Sequence, residues 1–177
     1  MFESEGIFPT LIHNEVLNEK NMAGFDAIFT PHKCVLDKYS NAYFIPAGGV
    51  YIGTNEGGGS FNDTQYENKT KKVSIVSSAK AQCQLHIKRK KLAETLKKNK
   101  LADTYGTFDG GKNIIIAESL TDYMYSIAIE NYVAPYYFTE KILNCFASQT
   151  VPIYVGASDL SKFFNMDGVI YVKEADI

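Results

Sequence analysis

DYMYSIAIENYVAPYYFTEKILNCFASQTVPIYVG, residues Asp122 to Gly156, is the stretch from which the fold can be read. It opens polar-aromatic, becomes a short apolar run over Ser126–Ile129, and stops on a carboxylate and an amide, Glu130 and Asn131. After a turn around Pro135 come Thr139, Glu140 and Lys141, an apolar-periodic segment to Ala147, and a second apolar run, Val151–Val155, ending at Gly156. This order predicts a buried strand, a helix over 139–147 with Ile142, Leu143 and Phe146 inward, and a second buried strand. Polar residues delivered at a strand end and followed by a capped helix are how an open parallel α/β sheet builds a ligand site.

The same alternation runs outward from this stretch. Downstream, Leu160–Phe164 reads as a helical turn and Val169–Val172 as a last strand. Upstream, a strand over Val73–Ser77 precedes a helix over Leu85–Lys98, with Leu85, Leu92, Ala93 and Leu96 on one face. A strand over Leu101–Tyr105 and a short helix over Leu120–Tyr125 complete the half. The stretch Gly53–Lys72, with three consecutive glycines and many amides, reads as a loop or interdomain linker. Before it lie a helix over Thr10–Leu17, a strand over Phe25–Phe29, a helix over Pro31–Tyr39 with Thr30 as its cap, and a strand over Ala42–Ile45. Two units follow: residues 1–70, a small α/β region with the linker, and residues 71–177, a Rossmann-like parallel-sheet domain.

The 177 residues have a formal charge of −2 and 45% hydrophobic content. That suits a globular chain with a real core and gives no overall attraction to nucleic acid. The Lys88–Lys100 helix could bind nucleic acid only against that balance, and a solvated face is its plainer reading. Cys34, Cys83 and Cys145 cannot all pair within the chain and lack metal-site spacing, which predicts reduced thiols. No stretch is apolar enough to span a bilayer and the start has no basic signal region. A cytoplasmic location is the resulting expectation, with peripheral membrane contact and oligomeric state left open. The sequons Asn62-Asp63-Thr64 and Asn68-Lys69-Thr70 then read as polar loop residues.

The candidate chemistry lies in three clusters. Thr139 capping a helix leaves first-turn N–H groups as an anion site, to which Lys141 adds charge and Glu140 a ribose acceptor; an ordinary capped helix is the alternative. Glu130 and Asn131 either line a site or make a solvated turn. His86 and Arg89, three residues apart, share a helix face, and Arg suits a phosphate. Gly57-Gly58-Gly59 lacks the following Lys-Ser/Thr of a phosphate loop. The scattered His, Cys and acidic residues predict no metal site.

These residues resemble a known family. Glu130-Asn131, YFTEK at 137–141, VPIYVG at 151–156 and the Phe-Asn pair ending FFN at 163–165 are similar to the C-terminal half of the family 10 glycosyltransferases, the α1,3/1,4-fucosyltransferases. Arg89 before Tyr105-Gly106, and Phe2-Glu3-Ser4 beside the family's Glu-Ser-Pro, extend the likeness; Phe138 and Glu5 depart from the usual Val/Ile and Pro. The resemblance implies a GT-B-like fold with an abbreviated N-terminal acceptor domain, since only two residues precede Glu3. It implies a GDP-fucose donor, a glycan hydroxyl as acceptor, and inverting transfer in protein glycosylation. Arg89 and Lys141 would neutralise the diphosphate, Glu140 would hold the ribose, and Tyr137 would pack beside the nucleotide. Glu130 and Asn131 would face the donor sugar, and Glu3 would act as general base. A divalent metal is then not obligatory. The alternative is a catalytically inactive nucleotide-sugar-binding or interaction protein.

Overall fold

The computed structural model describes residues 22, 24–53 and 68–177. The expected helix over Thr10–Leu17, the base Glu3 and most of the glycine-rich linker lie outside the described residues.

Five parallel strands form the main sheet. They are β3 (Lys71–Val76), β4 (Asp103–Tyr105), β5 (Tyr123–Ile129), β6 (Val151–Val155) and β7 (Ile170–Tyr171), in the order β4-β3-β5-β6-β7. Counted from β3, this is the doubly wound order 2-1-3-4-5, whose switch point lies between β3 and β5. The register pairs Ile75 with Ile127 and Ile127 with Ile153. A separate two-stranded parallel sheet, β1 (Ile28–Thr30) with β2 (Ala42–Phe44), is bridged by helix α1 (Lys33–Lys38).

Side-chain alternation explains why both faces of the main sheet are covered. Ile75, Ile127, Ile129 and Val155 pack with Leu85, Leu92 and Ala93 of helix α2 (Gln84–Lys98). Ala128 and Tyr154 pack on the other face with Ile142 and Cys145 of helix α3 (Glu140–Ala147). On that second face the central positions are small and polar. Ser74 and Ser126 bond to each other at 2.9 Å, and the Ser74 hydroxyl donates to the Ser119 carbonyl at 2.5 Å. Small residues at a sheet centre leave space above it, and the cavity described below opens there.

The FFN triplet belongs to this core. Phe163 lies 4.8 Å from the Phe44 ring and 5.1 Å from Phe138, while Phe164 meets both Phe138 and Phe146. Through Phe44 this aromatic cluster joins the β1–β2 sheet to the larger one. Asn165 accepts from the Asp167 N–H and starts a short 3-10 turn.

Several elements differ from expectation. Residues 120–125 form no helix. Tyr123–Tyr125 extend β5 because Lys71 pairs with Tyr123, so the strand begins where its neighbour does; a 3-10 turn over Ile116–Ser119 precedes it. For the same reason β3 starts at Lys71, inside the expected linker. Thr30 does not cap α1. It is held in β1 opposite Phe44, its hydroxyl accepts from the His32 N–H, and His32 occupies the cap position. Leu101 is excluded from β4 and 65% exposed. On α2 the buried residues are Leu85, His86, Arg89 and Ala93, so two polar side chains face inward.

Candidate functional site

Glu130 follows the last residue of β5 and is fully buried. Its carboxylate accepts from the Thr139 N–H at 2.9 Å, from the Thr139 hydroxyl at 2.6 Å and from the Tyr154 hydroxyl at 3.4 Å. The Lys141 ammonium stands 3.2 Å away. A buried carboxylate requires such a set of donors. Gly156 passes close over this cluster: a Cβ there would lie 2.6 Å from Cγ of Glu130 and would collide with the Tyr154 hydroxyl. The glycine that closes VPIYVG is therefore demanded by close approach.

Thr139 caps α3, as the sequence suggests, with its side chain accepting from the Lys141 N–H. The Lys141 ammonium donates to the Thr139 hydroxyl at 2.9 Å and to Glu140 at 3.1 Å. Burial disfavours the ammonium, but Glu130 and Glu140 outweigh it and hold its pKa above the ordinary lysine value. Glu140 is the mirror case. Burial pushes its carboxyl up, while Lys141 and the helix start pull it, on balance, below its usual range.

Arg89 reaches the same place from α2. Its Nη1 donates to the Ile129 carbonyl at 2.7 Å and meets Asn131 Oδ1 at 3.4 Å, and Asn131 Oδ1 also lies 2.9 Å from His86 Nε2. Arg89 is 7% exposed, has no carboxylate partner among the described residues, and its buried Nε has no hydrogen-bond partner among them. Burial lowers its pKa, and the more distant Glu130 and Glu140 only partly compensate. The residue remains a cation, one held out of water with unused donor capacity.

Arg89 and Lys141 both line a cavity of about 480 Å³ at the carboxyl ends of β3 and β5, the switch point of the sheet. Among the described residues Glu140 is its carboxylate, Ser126 and Ala128 form part of its floor, and Ala47, Gly48 and Tyr51 supply a wall from the N-terminal region. Of the expected donor-binding residues, Arg89, Glu140 and Lys141 line this space. His86, Glu130, Asn131, Tyr137 and Thr139 stand outside its lining, where Tyr137 is 2% exposed. Glu130 and Asn131 orient Lys141 and Arg89 from behind.

Sequence reasoning missed the wall. Pro46-Ala-Gly-Gly read only as the end of a strand, and Asn144 was not expected on the inner side of its helix. Asn144 is 3% exposed and takes both backbone groups of Tyr51, accepting from its N–H at 2.5 Å and donating to its carbonyl at 3.2 Å. An amide inside an otherwise apolar helical segment, ILNCFA, was the available signal.

A Rossmann-type sheet thus carries two clustered cations over its switch point, the place where open α/β sheets bind their ligands. Among the described residues no group of three or more His, Cys, Asp or Glu is arranged for a metal ion, and no helix is long and apolar enough to cross a membrane. The three cysteines are free, with Cys34 exposed and Cys145 buried.

Residues 66–176 match the model of glycosyltransferase family 10 (fucosyltransferase), C-terminal part, and the chain belongs to this family. A protein of Acanthamoeba polyphaga mimivirus named as a fucosyltransferase is 36% identical over 62 residues, 35% of this chain and 10% of the relative. A crystal structure of an α1,3-fucosyltransferase superposes with a TM-score of 0.49 at 26% identity, over 62% of this chain and 31% of that one. An α1,3-fucosyltransferase solved with GDP gives 0.46 at 23% identity, over 60% and 31%. The chain thus spans about a third of those structures and a tenth of the viral relative.

Proposed function

We propose that this chain forms the donor half of a glycosyltransferase that takes a GDP-sugar, with L-fucose as the sugar the family supports. The observation that carries this reading is Arg89: a buried guanidinium without a carboxylate partner among the described residues, beside Lys141 on the same cavity. Lys141 is balanced by Glu130 and Glu140, but Arg89 is poorly compensated until a polyanion arrives. On this reading residues 71–177 are the nucleotide-sugar domain and residues 1–70 a partial acceptor-side region. Arg89 and Lys141 bind the diphosphate, and Glu140 accepts from the ribose diol. Thr139 and Glu130 position Lys141, and His86 and Asn131 position Arg89. Tyr137 buttresses the turn.

In an inverting transfer, Glu3 removes the proton of the acceptor hydroxyl as its oxygen attacks the anomeric carbon and GDP departs. The charge growing on GDP is met by Arg89 and Lys141. Two cations already face the diphosphate, so its neutralisation does not require a metal. Three unpaired thiols suit a reducing compartment, where we place the chain.

Calorimetry tests the reading. GDP should bind to the full chain, and Lys141→Ala should weaken it. Absence of GDP binding refutes the proposal, and unchanged affinity in Lys141→Ala refutes the phosphate assignment.

A second reading is donor binding without transfer by this chain. Among the described residues, Glu140 is the cavity's carboxylate and is held ionised by Lys141, which makes it a weak base. GDP-fucose binding with no transfer across a glycan array, unaltered by Glu3→Gln, would establish this second reading.

A further inference from the structure

The segment from Ala47 to Ile52 is fixed over the cavity at three points. At one end, Gly48 lies against the start of α3, where a Cβ would fall 2.9 Å from the Glu140 nitrogen and 3.2 Å from its carboxylate. At the other, Ile52 is 3% exposed in the core with Ile142 and Phe138. Between them, the backbone of Tyr51 is held on both its polar groups by the Asn144 side chain. A loop so restrained positions what it carries, yet Tyr51 itself is 53% exposed and lines the cavity. The aromatic expected beside the ligand, Tyr137, is buried outside the lining.

We propose that Tyr51, held by Asn144, is the stacking platform for the nucleobase of the donor. This rests on the nucleotide reading given above and assigns its base subsite. The spacing along α3 supports it. Lys141 and Glu140 occupy the first turn, and Asn144 stands one turn further, about 6 Å along the axis. Glu140 and Asn144 are four residues apart and share one face of α3, so a ribose held at Glu140 brings its base within reach of the residue that Asn144 holds. An exposed phenol ring on a fixed backbone offers a flat apolar face at little entropic cost, and bases of any identity stack on such a face.

The test titrates GDP and inorganic pyrophosphate into the wild-type chain, Tyr51→Phe, Tyr51→Ala and Asn144→Ala, with melting curves as the folding control. Tyr51→Ala should weaken GDP by about tenfold, within the range of one base stack, and leave pyrophosphate unchanged. Tyr51→Phe should retain GDP affinity. Asn144→Ala, if folded, should lose GDP affinity in the same selective way. Wild-type affinity for GDP in Tyr51→Ala overturns the inference and leaves the donor reading intact. So does equal affinity of the wild type for GDP and pyrophosphate. A wild type that binds neither overturns both.

Discussion

Glu130→Gln separates a residue that supports the site from one that touches the ligand. The substitution keeps the shape of a fully buried side chain but replaces a carboxylate oxygen with an NH2 group. One oxygen still accepts from the Thr139 N–H and the Tyr154 hydroxyl. The new NH2 faces the Thr139 hydroxyl and the Lys141 ammonium, where Oε2 had accepted at 2.6 Å and 3.2 Å. Breaking a buried ion pair costs about 3–5 kcal/mol. Lys141 is 22% exposed and keeps Glu140 at 3.1 Å, which argues for the lower end, about 3 kcal/mol. For a chain of this size that lowers Tm by about 6–12 °C. Circular dichroism melts at neutral pH read this directly. A coupling energy above about 0.5 kcal/mol with Thr139→Val in a double-mutant cycle should accompany it. If Glu130→Gln melts within about 2 °C of wild type while GDP-sugar binding collapses, the carboxylate acts on the ligand and the supporting role is wrong.

Three further outcomes follow from the same cluster. The Lys141 pKa is raised in the fold, so its stabilisation is present below the ordinary lysine value of about 10.4 and is lost as pH rises through the higher folded value. Glu140, held low, contributes above the ordinary carboxylate value of about 4.3 and loses that as pH falls through its folded pKa. Melting temperature against pH should therefore fall at both extremes, with the alkaline limb flattened in Lys141→Met and the acid limb in Glu140→Gln. Arg89→Met exchanges a buried, partly unpartnered cation for an apolar side chain, so the melting temperature should hold or rise while GDP affinity drops at least about tenfold. A lower melting temperature in that variant would mean that Arg89 serves the fold. Gly156→Ala forces a Cβ against the Tyr154 hydroxyl and Glu130 Cγ and should cost about 1–3 kcal/mol in denaturant unfolding, with wild-type stability as the refuting result.

The elements that could be read in advance are those set by neighbours in sequence. Val151–Val155 forms a strand over the expected residues, and α3 begins on Thr139 because an N-cap is a contact of two or three residues' range. Residues 120–125 were misread because a strand's start is set by its partner, here Lys71, far along the chain. The same distinction divides the site. That Arg89, Glu140 and Lys141 belong together was implied by the resemblance to the family, whereas local pattern left them as separate candidates. That Glu130 turns inward depends on Thr139 and Tyr154, and the wall of the cavity depends on an Asn144–Tyr51 contact across 93 positions. Local pattern left a trace of these long-range arrangements all the same. His86 and Arg89 on the buried side of α2, Asn144 on the inner side of α3, and Ser74 and Ser126 at the sheet centre all break the apolar pattern of their elements. A polar group in such a position costs stability unless something distant satisfies it. Asn144 is satisfied by the cavity wall, His86 and Arg89 by Asn131, and the serines by each other. Arg89 Nε is left over, a buried donor beside a cavity that two cations line. These breaks in pattern therefore converge on one space, and on the donor reading proposed above the Arg89 Nε gives the sign of the charge that space would receive.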